Sequence, residues 1–158
     1  MSPDDFAFDQ ETELFLATCR TASLATVDAQ GQPHAANVQY AHDTGWTLHW
    51  VSSPTAAHSQ HLAANPRAAV TIYAHQDVPE LIHGIQLHGE VDLVIEQGQS
   101  EWHRIWDLYT SKYEFVNSLP QLREAALKQK FYRFRPTWLR WIDNRKGFGW
   151  KVEKDLDK

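Results

Sequence analysis

Apolar and polar residues recur along the chain with one period and then another, and each change of period marks an element. Phe8, Phe15, Leu16 and Cys19 fall on one side of a helical period, which predicts a helix over Phe8–Cys19 that Asp9 can cap. The period then shortens to two. SLATVD (23–28) and HAANVQY (34–40) read as strands joined by the Asp28-Ala-Gln-Gly31 turn, and Asp43-Thr-Gly45 turns the chain into a third strand, Trp46–Ser52. These three strands form an antiparallel meander.

Ser53-Pro54 breaks that rhythm. A hydroxyl at the N-cap, proline at the first helical position and the alanine-rich TAAHSQHLAA predict a helix that Asn65-Pro66 ends. Ala69–Ala74 is the next strand, and Gln76–Glu80 is a polar loop. The clearest alternation is in Gly84–Val94, where Ile85, Leu87, Val91 and Leu93 alternate with Gln86, His88, Glu90 and Asp92. Gly89 interrupts the apolar row, the mark of a bulge or a close backbone approach. Ser100–Tyr113 returns to helix, with Trp102, Ile105, Trp106, Tyr109 and Tyr113 at spacings of three and four. Leu119–Lys130 is a weaker helix, and Phe131–Asp143 is an extended aromatic segment with Pro136 at an edge or bulge. Asn144–Lys158 is a charged tail holding a Gly147-Phe148-Gly149 turn. Six short strands, a few helices and no βαβ alternation predict a closed or half-closed antiparallel barrel, mainly β in an α+β arrangement.

The length, 158 residues, suits one domain over 1–158, and neither a repeat nor a linker divides it. Seven Trp, seven Phe and five Tyr must be covered by a core, an interface or a flat ligand. A net charge of −5, with Arg133, Arg135 and Arg140 as the only basic cluster, argues against a nucleic-acid partner. The single cysteine, Cys19, excludes an internal disulfide framework and a thiolate-rich metal site. The acidic start MSPDDFAFDQ lacks a signal-peptide pattern, and no apolar run reaches the ~20 residues of a spanning helix. A cytoplasmic protein without a membrane partner is expected.

Candidate chemistry concentrates at Trp50-Val-Ser-Ser-Pro-Thr-Ala-Ala-His58. There a strand ends in hydroxyls and a helix begins. Helix-start amides, with Ser52, Ser53 and Thr55 as further donors and His58 a turn later, suit a phosphate. The same residues also make an ordinary N-cap. His58 and His61 are three apart and His49 is nearby, but zinc needs three or four converging ligands, so no metal is assigned. There is no Gly-x-Ser-x-Gly elbow and no phosphate-binding glycine loop, and Cys19 reads as core. No catalytic residue is assigned. Gln39 and Gln86 offer a donor and an acceptor each, suited to the polar edge of a flavin, and Trp50 and Trp141 could cover a flat ring. Surface amides and core indoles are the alternatives.

The order LATVDAQGQPHAANVQY, WTLHWVSSPTAAHSQHLAANPRAAVTI and IHGIQLHGEVDLV, with Asn65-Pro66-Arg67 and Gly89-Glu90, resembles the pyridoxamine phosphate oxidase-like FMN-binding split barrels. The resemblance covers about residues 12 to 95 and resumes at 131 to 149, where WIDNRKGFG looks like an uncharacterised bacterial branch. It implies a six-stranded antiparallel Greek-key split β-barrel with flanking helices, a homodimer, and FMN held at the dimer interface. Carried over by position, Ala36, Asn37, Val38 and Gln39 would face the flavin from the second strand. Val51, Ser52, Ser53, Thr55 and His58 would meet its edge and phosphate, Gln86 would come from the second copy, and Trp141 would approach the ring. Ala36 stands where the oxidases carry an Arg, and Ala57-His58 where they carry an Arg-Lys pair, so weaker flavin binding is expected. The resemblance implies a flavin-dependent oxidoreductase acting on an unknown small molecule. The alternatives are a non-enzymatic flavin or haem binder or sensor, and a cofactor-free dimeric scaffold. Turnover of pyridoxamine phosphate is not expected, because Ile142–Phe148 lacks the oxidases' Arg-x-His element and Asp143 would face the substrate's anion.

Overall fold

The two-residue alternation becomes a curved antiparallel sheet of seven strands: β1 (Thr21–Val27), β2 (Pro33–His42), β3 (Leu48–Ser52), β4 (Arg67–Tyr73), β5 (His83–Leu93), β6 (Lys130–Asp143) and β7 (Lys151–Asp155). The computed structural model describes residues 3–94 and 97–157. Lateral order is β3-β2-β1-β4-β5-β6-β7, and β3 also pairs with β6, so the first six strands close into a barrel. Placing β4 beside β1 gives the Greek-key order.

Closure depends on the length of β6. One edge pairs with β5 from Tyr132 to Asp143. On the other edge, Lys130–Phe134 pairs with β3 and Trp138–Ile142 with β7. The β5–β6 register shifts at His88/Gly89, as the glycine in the alternating row predicts. A Cβ on Gly89 would lie 2.1 Å from the carbonyl oxygen of Arg135 and 2.8 Å from Pro136 Cα. The glycine is therefore required by a close backbone approach.

Inward-facing side chains fill the barrel: Leu24, Tyr40, Leu48, Trp50, Ile72, Ile85, Leu87, Phe134, Leu139 and Trp141 are buried. Helix α1 (Pro3–Thr18) contributes Phe8, Phe15 and Leu16 to this core. The Tyr40 hydroxyl donates to Leu16 O at 2.8 Å, and Trp46 Nε1 donates to Thr12 Oγ1 at 2.9 Å. A second apolar cluster joins α3 (Ser100–Lys112) to the barrel wall, with Trp102, Ile105, Trp106, Tyr109 and Tyr113 packed around Phe131, Val94 and Ala41. Lys112, in the last turn of α3, donates to the carbonyls of Leu16 and Cys19, and its ammonium lies 4.1 Å from the Tyr40 ring centre.

Several expectations are corrected. Helix α1 starts at Pro3, so Asp9 is inside it and accepts from Lys154 Nζ at 2.9 Å instead of capping. Thr44–Trp46 forms a 3-10 turn because the Asp43 carboxylate accepts the Thr44 amide, and β3 begins only at Leu48. Helix α2 is Ala57–Ala64, with no side-chain cap. Ser53 Oγ instead accepts the Thr55 amide at 3.2 Å, so the hydroxyl serves a turn of its own and the helix starts later. The expected helix at Leu119–Lys130 is α5 (Pro120–Leu127), preceded by a separate α4 (Glu114–Ser118). Leu93 is 56% exposed, unlike the rest of its row. Strand β7 was hidden by composition, since Val152 is the only apolar residue in KVEKD.

Gly89→Ala is expected to cost roughly 3 kcal/mol, at the upper end for overpacking, because backbone rather than a flexible side chain is in the way. A lowered urea midpoint with unchanged slope measures it.

Candidate functional site

The junction singled out in the sequence is a compact turn leading into α2. The Ala56 amide donates to Ser53 O at 3.1 Å, and the hydroxyls of Ser53 and Thr55 lie 2.8 Å apart. The first bond within α2 runs from the Gln60 amide to Ala56 O, so the amides of Ala57, His58 and Ser59 have no helical acceptor. His58 Nε2 lies 2.8 Å from Ser52 Oγ. Burial, with the neighbouring His61 adding to it, holds the His58 imidazole below its ordinary pKa. Amides, three hydroxyls and one imidazole thus converge on the end of β3, a donor set suited to an anion.

A further group adjoins this junction. Thr26 on β1 faces His34 on β2, and Thr26 Oγ1 lies 2.9 Å from His61 Nδ1 on α2. The His34 and His61 rings are in contact, with centroids 4.5 Å apart, and His34 Nε2 lies 3.0 Å from Asp28 Oδ2. The hydrogen bond from His34 is the main reason the Asp28 carboxyl sits below its ordinary pKa. Sequence reading missed His34, Thr26 and Asp28 as site residues and weighed His61 only as a metal ligand beside His58. The available signal was the Asp28–Gly31 hairpin, whose register sets Thr26 opposite His34.

The strand β2 residues divide by the pleat. Val38 is buried in the core and Ala36 is half-buried, whereas Asn37 and Gln39 are exposed, with Asn37 Oδ1 accepting from Ser23 at 2.9 Å. Val51 packs beside the α3 cluster. Gln86 lies on the outer wall, where it helps line an open groove of about 280 Å³ with Ser23, Ala25, Ala35, Ala69, Thr71 and His88. None of the groove's lining residues belongs to the Ser52–His58 junction, so one chain does not bring the two together. The Gln86 Oε1 accepts from Arg140 Nη1 at 3.2 Å. A guanidinium only donates, so the amide nitrogen of Gln86 points away from Arg140. Arg140 also pairs with Glu153 and lies 5.0 Å from the Trp138 ring centre, which in turn stacks on His88.

Three expected contributions fall elsewhere. Trp141 is wholly buried inside the barrel, edge-on to Phe15 at 4.9 Å, and reaches no surface. Trp50 is likewise core, stacked on Tyr132. Asp143 does not face an anion site: it is fully buried, and Arg145 donates to both its oxygens at 2.8 Å. Burial opposes ionisation of Asp143, but the bonds from Arg145 outweigh it and hold the carboxyl below its ordinary pKa. No group of three potential metal ligands occurs among the described residues.

A closed Greek-key barrel with an added strand and an anion-suited strand-to-helix junction defines the split-barrel class. A sequence model described as pyridoxamine 5'-phosphate oxidase matches residues 8–142. The chain belongs to the pyridoxamine 5'-phosphate oxidase family. It is 29% identical over 100 residues to the pyridoxine/pyridoxamine 5'-phosphate oxidase of Pseudomonas entomophila, covering 63% of this chain but only 45% of that protein. The fold is similar to a haem-binding protein from Mycobacterium smegmatis (TM-score 0.70, 20% identity, 89% of this chain and 55% of that one). It is also similar to HutZ, the haem storage protein of Vibrio cholerae (TM-score 0.66, 20% identity, 81% of this chain and 89% of that one).

The most perturbed histidine lies away from this site. His49 is fully buried between β3 and α3, its ring nitrogens lack hydrogen-bond partners, and Asp43 Oδ2 is 3.7 Å from Nε2. Burial, opposed by Asp43, lowers its pKa to about 4. A sealed imidazole of this kind belongs to packing rather than to catalysis. Its neutral form is the one that fits, so its contribution is complete above the ordinary imidazole value near 6.5 and is lost as pH falls toward 4. Stability is expected to drop by on the order of 3 kcal/mol across that window, and His49→Leu to flatten the drop. Urea melts at stepped pH measure both.

Proposed function

We propose that the protein is an FMN-binding flavoprotein acting as an oxidoreductase on an unknown small molecule, with the cofactor held between two copies of the chain. The observation that carries this reading is the β3–α2 junction, where the first amides of α2 have no helical acceptor and the hydroxyls of Ser52, Ser53 and Thr55 are gathered in the adjoining turn, in a chain of the pyridoxamine 5'-phosphate oxidase family. Ser52, Ser53, Thr55 and His58 would hold the phosphate. The amide nitrogen of Gln86, directed by Arg140, would donate to the flavin's polar edge from the second copy. When bound, FMN supplies the redox chemistry, and the chain supplies orientation and hydrogen bonds.

The dimer is supported by the outer wall of β1, β2, β4 and β5. Small residues Ala25, Ala35 and Ala69 floor its groove, and Tyr73 on β4 is 62% exposed. A flat wall of this kind with an uncovered aromatic ring suits a second copy. Haem binding is a second reading, favoured by the exposed imidazole of His88 at the same groove and by the two haem-associated structural relatives.

FMN is expected to give saturable fluorescence quenching with a dissociation constant on the order of 10 µM or tighter. Absence of quenching, with a Soret band on adding haem, would replace the flavin reading by the haem one. Light scattering is expected to return twice the mass of one chain at micromolar concentration. A monomer would remove the shared site.

A further inference from the structure

Four titratable side chains follow one another across the end of the barrel, from the β1–β2 turn to the start of α2. Asp28 meets His34, His34 lies against His61, and His58 stands one helical turn before His61 and meets Ser52. Each imidazole uses one nitrogen within the fold: His34 Nε2 with Asp28, His61 Nδ1 with Thr26, and His58 Nε2 with Ser52. The second nitrogens, His34 Nδ1, His61 Nε2 and His58 Nδ1, have no partner among the described residues. Ala36, next after His34 on the same face of β2, adds only a methyl group there.

We propose that His34 and His61, together with His58, form a proton-coupled site for a phosphate dianion. The proposal rests on the phosphate reading of the β3–α2 junction and extends it to two residues outside the junction. Two imidazoles with centroids 4.5 Å apart resist being charged together. A dianion turns that repulsion into shared attraction, and the protons enter with the ligand. The groups facing the cluster are the Asp28 carboxylate from the turn, Thr26 from β1, Ser52 from β3, and the imidazoles of β2 and α2. Asp28 offsets one positive charge and fixes His34. Because the protons enter with the ligand, affinity falls as pH rises through neutrality. Below about 6 the phosphate itself becomes a monoanion and the gain levels off.

The test measures FMN and riboflavin affinity between about pH 6.5 and 8, and follows the histidine ring protons by NMR with and without inorganic phosphate. FMN affinity is expected to fall about thirtyfold over that range, tenfold per pH unit for one proton taken up with the ligand, while riboflavin shows no such fall. In the His34→Asn/His61→Asn double variant the fall is expected to shrink to about threefold or less. In the unaltered protein, inorganic phosphate is expected to raise the midpoints of the His34 and His61 titrations, which needs no variant to fold. Unmoved midpoints, a double variant that keeps the full pH dependence, or riboflavin behaving like FMN would overturn the proposal. FMN binding with a flat pH profile would leave the flavin reading standing and remove this one. Loss of all flavin binding, with phosphate still shifting both histidines, would do the reverse.

Discussion

The pairing of β6 on both edges is the constraint on which the other features depend. A fourteen-residue strand bonds to β5 along one side, and divides its other side between β3 and β7. Because β3 is bonded to β6 at Val51–Phe131 and Ser52–Lys130, the end of β3 is fixed where the hydroxyl turn begins. The strand must bend to serve two partners, and the bend falls opposite Gly89, where the backbones approach too closely for any side chain. A donor cluster on a turn is useful only if its strand cannot drift, and this closure supplies that rigidity.

Much of the barrel was legible because its strands bury one face. Residues such as Ile85 and Leu87 announce the period, and Gly89 announces the irregularity within it. The features that were not legible lack that signal. Strand β7 packs a single valine among charges, and its place is set by bonding to β6. The start of α2 moved because two hydroxyls in a row can satisfy a turn or a helix, and propensity alone does not choose between them. Of the site, the junction Ser52–His58 could be read because it is contiguous. His34 and His61 meet only through the register of a hairpin and the docking of a helix, so their partnership is a tertiary fact.

Trp141 and Asp143 show the opposite failure, in which residue type suggests a ligand and burial refuses it. Both lie on β6, where alternate positions point into the barrel, and the inward pleat carries them into the core. An aromatic ring or a carboxylate in a strand has two destinations one residue apart, and only the register decides. The same rule works in favour of Gln86, whose outward position leaves its amide beside Arg140 at the groove.

The ammonium of Lys112 joins elements far apart in sequence. It leaves the last turn of α3 and closes the carbonyl end of α1, at Leu16 and Cys19, while lying over Tyr40 of the barrel. Each helix therefore ends on a bond that requires the other to be in place. Fraying of α1 would strand a half-buried cation, and lifting of α3 would uncover the last carbonyls of α1, so neither helix opens cheaply alone. In hydrogen exchange the C-terminal turns of α1 and α3 then belong to one cooperative unit that opens together, despite the 93 residues separating Cys19 from Lys112.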